Sequence, residues 1–475
     1  MKPWIPAPLA SLWSRIALVL PLVFCGCDAL SLRSSSEPEL SFTQYQLANG
    51  LTVILHEDSR LPLVAVNLWY RVGSKDEPIR RSGFAHLFEH LMFTGTETVP
   101  DPQFDVTMER FGGRNNASTG RDRTNYYESG PSELLRTFLF LEADRMGGLG
   151  AAMTPAKLDA ERKVVHQERF QQIENRPYGK ARIQMPPLLY PPGHPYREPI
   201  IGSAEDLDAA TVEDVQRFFD QFYFAANATL VIAGDFDSAT VKRWVAAYFG
   251  PLPTITPLED PPPPLARLDA VVRRSVTDSV ELPMIAFAWH SPPFYAPGDA
   301  ALDILADVLG GGKASRLYRR LVYEEQVAQS VSAYQGSQLL GSEFRVTVLV
   351  RPGVELERVE QLVDEELSRL SRGGPTEREV ERARNSIETS FWQGLESVGD
   401  RAELLNQYHF YLRDPGSLSR DRERYAAITP ADVQRWSQEV LDLQRRVILR
   451  VLPEDKKSAS AVRFETASQR EGEPQ

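Results

Sequence analysis

The spacing of apolar residues changes along the chain, and each change marks an element. Leu51 to Leu55 and Leu63 to Tyr70 are short runs rich in aliphatic and aromatic residues, and they predict strands. Phe84, Leu87, Phe88, Leu91 and Met92 then recur at spacings that place them around one side of a helix. Ser82 stands where an N-cap for that helix is expected. A strand pair is predicted around Asn116 and Tyr126, helices over most of residues 131–222, and a strand and a helix between Ala228 and Tyr248. Strands and helices mixed in this way predict the α+β class, with sheets covered by helices.

The pattern occurs twice. Leu61-Pro62-Leu63-Val64-Ala65 returns as Leu282-Pro283-Met284-Ile285-Ala286, 221 positions later. Asp214-Val215-Gln216-Arg217 returns as Asp432-Val433-Gln434-Arg435, 218 positions later. Each second motif leads to an apolar strand-like run, Ala228 to Ala233 and Val447 to Leu452. Two repeats in the same order at nearly one offset predict a duplicated fold. Pro251 to Pro264 holds seven prolines, as a semi-rigid linker would. We therefore expect homologous domains over 42–250 and 268–453, joined by a Pro-rich linker at 251–267.

The ends read differently. Lys2 and Arg15 precede an apolar run from Ile16 to Phe24, which predicts a signal peptide over 1–26. Phe24-Cys25-Gly26-Cys27 is similar to a bacterial lipoprotein box and makes Cys27 the expected lipidation site, followed by a polar tether over 27–41. The expected location is the periplasmic side of a bacterial envelope, on a membrane through the lipid or else secreted. Residues 454–475 are polar and predict a disordered tail. Cys25 and Cys27 are the only cysteines, so a chain starting at Cys27 has no internal disulfide, Cys-based zinc site or thiol nucleophile. A net charge of −12 opposes nucleic acid as a partner.

The chemistry concentrates at His86-Leu87-Phe88-Glu89-His90. This is an H-x-x-E-H pattern, the inverse of the H-E-x-x-H zinc peptidase signature. On a helix His86 and His90 lie one turn apart on one face and can reach one metal ion. Glu89 projects beside them, where a carboxylate can take a proton from an attacking water. A peptidase zinc normally has three protein ligands. The best source of the third is Ala160 to Phe170, where Glu161 and Glu168 are seven apart and share a helical face. One of them would bind the metal and the other support it; His166, the rival ligand, points elsewhere.

Together the segments resemble the insulinase/pitrilysin family of zinc peptidases. The likeness includes Trp69 to Ser74, Phe111 to Thr119, Arg123 to Tyr127, Leu141 to Met146, Glu174 to Gly179 and Ala233 to Phe236. It extends from about residue 42 to 453. It implies two α+β halves closing around a chamber, and one Zn²⁺ per chain held by His86, His90 and Glu168. Glu89 is then the general base and Glu161 supports the site. In relatives, a segment like Asn115 to Thr119 pairs with the substrate backbone, which makes Asn116 and Ala117 candidate substrate contacts.

The second half departs from this pattern. Aligning Thr154 with Thr376 sets Ala383 opposite Glu161 and Ser390 opposite Glu168. Relatives carry an Arg and a Tyr beyond the segment matching Gly311 to Leu317; here the positions hold Val322 and Gln329. Two functions follow as expectations. One is a zinc metalloendopeptidase for short or unfolded peptides. The other is a non-catalytic or partner-dependent subunit, in a homodimer or a heterodimer whose related chain supplies the missing donors.

Overall fold

A computed structural model of the chain describes residues 40–257 and 266–454. The expected signal peptide, Cys27, nearly all of the tether, the centre of the proline run and the tail beyond Glu454 lie outside the described residues.

Two sheets carry the chain. The first contains β1 (Thr43–Gln46), β2 (Thr52–Glu57), β3 (Leu63–Tyr70), β4 (Arg114–Thr119), β5 (Thr124–Pro131) and β6 (Ala228–Gly234). Their spatial order is β1-β2-β6-β3-β5-β4. The second contains β7 (Val272–Asp278), β8 (Met284–Ser291), β9 (Ala328–Gly336), β10 (Ser342–Val350) and β11 (Val447–Pro453), in the order β7-β11-β8-β10-β9. In each sheet one pair is parallel, β2 with β6 and β7 with β11. The repeated Leu-Pro segments run into β3 and β8, which occupy matching places. Each lies between the last strand of its half and a hairpin strand. The repeated Asp-Val-Gln-Arg segments fall in helices whose N-caps, Thr211 and Thr429, both form capping boxes.

The helices include α1 (Phe84–Leu91), α2 (Pro155–Arg169), α3 (Gly179–Leu189), α4 (Glu377–Gln393) and α5 (Val398–Leu412). One face of each sheet is covered from its own half. In the first, Val66, Leu68 and Tyr70 share a core with Phe84, Leu87 and Phe88 of α1. In the second, Ile285 and Phe287 share one with Leu302, Leu305 and Val363.

The other face of each sheet is covered by a helix from the opposite half. Helix α3, from the first half, lays Ala181, Met185 and Leu189 against Ala286, Ala288, Leu449 and Val451 of the second sheet. Helix α5, from the second half, lays Ala402 and Leu405 against Ile54, Ala65, Val231 and Ala233 of the first. Polar bonds fix the exchange. Asn406 Nδ2 donates to the Asn67 carbonyl at 2.9 Å, and Asn67 Nδ2 donates to Glu403 at 2.7 Å. The short apolar strands of each half are apolar on both faces, so a single layer of helices would leave one face wet.

Candidate metal centre

Helix α1 presents two faces. Leu87, Phe88 and Leu91 are buried, with the Phe88 ring stacked on Tyr223 at 4.7 Å. The opposite face brings the His86 and His90 rings to 4.9 Å. The expected cap is corrected: the N-cap is Gly83, in the left-handed region at φ 87°, with no side-chain cap bond. Ser82 instead donates through its backbone N–H (3.0 Å) and its hydroxyl (2.5 Å) to Asp206, and its oxygen accepts from Ser203 N–H at 3.0 Å. The left-handed turn at Gly83 separates Ser82 from the helix start, where a Cβ would strike the backbone of Gly202.

Helix α2 begins at Thr154, whose hydroxyl accepts from Lys157 N–H, with Pro155 in the first turn. It brings Glu161 and Glu168 to the histidines. Glu168 Oε2 lies 3.2 Å from His90 Nε2 and 3.5 Å from His86 Nε2. Glu161 Oε2 lies 3.6 Å from the other nitrogen of His90, Nδ1. His166 turns away to Asp208, at 2.8 Å. The donor atoms of His86, His90 and Glu168 all lie within 4.8 Å of one another, the one such group among the described residues. Tetrahedral zinc with N and O ligands at about 2.0–2.1 Å sets them about 3.3 Å apart. The donor set therefore fits zinc, and Glu161 has the placement of a carboxylate that orients a metal-bound histidine.

Electrostatics follows from this crowding. Burial pushes the His86 imidazole down to about 4. Burial also opposes charge on His90, but hydrogen bonds that it donates to Glu161 and Glu168 outweigh this and push that imidazole up to about 9. Burial raises the Glu89 carboxyl, against the Thr119 hydrogen bond. Thr119 Oγ1 donates to Glu89 Oε2 at 2.6 Å. Thr119 ends the Asn115–Thr119 segment, but its bond to Glu89 depends on tertiary packing, with Thr119 at the end of β4 in register with Thr124.

One segment aligns the two helices. The stretch 202–210 takes Ser82, beside α1, through Asp206 and Ser203. It also takes α2, since Arg162 donates to the Leu207 and Ala210 carbonyls and Arg169 to that of Gly202. The charged residues around Glu161 and Glu168 thus have a task besides solvation: they set one ligand helix against the other.

The remaining candidates are spread out. Asn116 and Ala117 lie on β4, the edge strand of the first sheet. Asn116 Oδ1 accepts from the Ala117 N–H at 2.8 Å, and the Ala117 side chain is buried in the first core. Val322 is buried in the second core and Gln329 is exposed on β9. Thr376 caps α4 as Thr154 caps α2, and along α4 Ala383 is fully buried while Ser390 bonds back to the Ser386 carbonyl. Among the described residues, no hydrogen bond or ion pair links the second half to His86, Glu89, His90, Glu161 or Glu168.

The family model described as "Insulinase (Peptidase family M16)" matches residues 52–185, and that described as "Peptidase M16 inactive domain" matches 209–387. The chain belongs to the insulinase family. The first match contains both histidines, Glu89 and both glutamates; the second contains Ala383. Among relatives of this insulinase-family chain, zinc protease PqqE of Helicobacter pylori is 29% identical over 400 residues, covering 83% of this chain and 88% of that protein. Uncharacterized zinc protease YmxG of Bacillus subtilis is 25% identical, covering 75% and 85%. A crystal structure of a protease from Helicobacter pylori superposes with a TM-score of 0.82 at 27% identity, over 88% of this chain and all of that one. The periplasmic protease PqqL from Escherichia coli shares the fold at a TM-score of 0.72 and 19% identity, over 89% of this chain and 49% of its own.

Proposed function

We propose that this insulinase-family chain is a zinc-dependent metalloendopeptidase acting on short or unfolded peptides. The observation that carries the reading is the convergence of His86, His90 and Glu168 from two helices, with Glu89 beside them. The relatives named zinc proteases support it.

Zinc, when bound, supplies Lewis acidity toward the peptide carbonyl and lowers the pKa of water. The rest falls to the chain. Glu89 accepts the proton of the attacking water and later delivers it to the leaving amine. Thr119 holds one oxygen of Glu89, leaving the other for the proton. Glu161 steadies His90 from its far side. An extended peptide would add to β4, its backbone replacing the Asn116 side chain at the Ala117 N–H.

The proposed location is the periplasmic side of the envelope, with a lipid anchor at Cys27. The periplasmic relative supports the compartment. No helix among the described residues is long and apolar enough to cross a membrane.

A second reading is favoured by Val322 and Gln329, which present no Arg or Tyr donor. Under it the chain is a partner-dependent or non-catalytic subunit, and a second copy or a related chain closes over the site. Purified zinc-loaded protein and Glu89→Gln, each incubated with unstructured peptides, separate the readings. Turnover that falls at least about 100-fold in the variant, with zinc retained, supports the peptidase. No turnover from either protein overturns self-sufficiency.

A further inference from the structure

Helix α1 has an incomplete start. The first four N–H groups of a helix have no partner within it, and the N-cap side chain usually serves one. Here the N-cap is a glycine, which has none to offer. The helix is also only eight residues long, too short to hold its first turn by propensity alone. Yet this turn carries His86, and the next carries Glu89 and His90.

Glu77 fills the gap from outside the helix. Its Oε2 accepts from the Gly83 N–H at 3.0 Å and its Oε1 from the Ala85 N–H at 2.9 Å. Both oxygens of one carboxyl are thus used on the first turn, and Ala85 directly precedes His86. Burial raises the Glu77 carboxyl, and the two N–H groups oppose that rise, so the carboxyl depends on these bonds as much as the helix does. The loop before it is itself pinned. Asp76 Oδ2 accepts from Gly73 N–H at 2.8 Å, and Arg81 donates to Asp214 at 3.1 Å.

We propose that Glu77 is a positioning residue for the metal helix, its carboxyl replacing the absent cap and fixing where His86 and His90 stand. The proposal rests on the reading of His86, His90 and Glu168 as zinc ligands. Glu77 touches neither a ligand nor Glu89, so its effect passes through the backbone of α1.

Zinc affinity by chelator competition and the visible spectrum of Co²⁺-substituted protein test this without turnover. Glu77→Gln keeps the size of the side chain but sets an NH₂ against one of the two N–H donors. It should weaken zinc binding by about tenfold or more and alter the cobalt spectrum, while the far-ultraviolet circular dichroism stays unchanged. Glu77→Ala should weaken binding further; if it fails to fold, Glu77→Gln carries the test alone. Glu77→Gln with the affinity and cobalt spectrum of the parent would overturn the role. A parent protein that binds no zinc would remove the metal reading itself and this role with it.

Discussion

The Thr119 hydroxyl donates to the Glu89 carboxylate at 2.6 Å, joining the end of an edge strand to the H-x-x-E-H helix. Thr119→Val keeps the shape and removes the donor. Glu89 then keeps its place in sequence but loses the bond that sets its angle. We expect kcat on an unstructured peptide to fall by roughly tenfold with zinc content unchanged, since general-base catalysis depends on the carboxylate's aim. Steady-state kinetics beside metal analysis decides it; an unaltered kcat would show that the bond is incidental.

Glu161 and Glu168 should differ in kind. Glu168 faces the Nε2 atoms of both histidines, whereas Glu161 meets only Nδ1 of His90. Glu168→Gln should abolish stoichiometric zinc. Glu161→Gln should weaken zinc by about 10–100-fold and leave it measurable. Equal losses in a chelator titration would contradict the separate roles.

Asp303 gives a pH signature remote from the metal. Burial, then repulsion from Asp299, pushes its carboxyl up to about 7, although Tyr425 donates to it at 2.7 Å. The folded state therefore binds this proton more tightly than the unfolded chain, whose carboxyl titrates near 4. Stability from this group is present below pH 4 and is lost as pH rises to 7. Asp303→Asn keeps an acceptor for Tyr425 and removes the titration. Between pH 4.5 and 7.5 the parent should lose on the order of 2–4 kcal/mol more than the variant in denaturant unfolding. Parallel pH profiles would refute the assignment.

The ligand helices were legible in the sequence because their spacing is local. His86 and His90 one turn apart, and Glu161 and Glu168 two turns apart, need only a helix to share a face. Strand β3 was legible in full for the same reason. What the sequence hid depends on distant chain. Ser82 has the chemistry of a cap, but the left-handed Gly83 and the remote Asp206 divert it. Glu77 and Thr119 belong to no pattern with the residues they serve. The duplication was visible in two short repeats, but the exchange of α3 and α5 was not, because a helix buried against a foreign sheet has the same apolar face as one buried against its own.

That exchange predicts how the halves behave apart. Residues 40–257 alone would expose Ile54, Ala65, Val231 and Ala233, which α5 covers. We expect this fragment to be insoluble or rapidly proteolysed, and to become protected when co-expressed with residues 266–454. A monomeric, cooperatively folded fragment by circular dichroism and limited proteolysis would show that the cover is dispensable.

The two halves are thus unequal in chemistry, yet each sheet is covered by a helix of the other half. Ala383 and Ser390 stand where carboxylates would be needed for a second centre, and nothing about the first centre restrains them. Ala402 and Leu405, on the next helix, lie against Ile54, Ala65, Val231 and Ala233 of the first sheet, whose other face packs against α1. Within the second half, positions without ligand chemistry and positions that cover the other half's sheet thus lie on neighbouring helices.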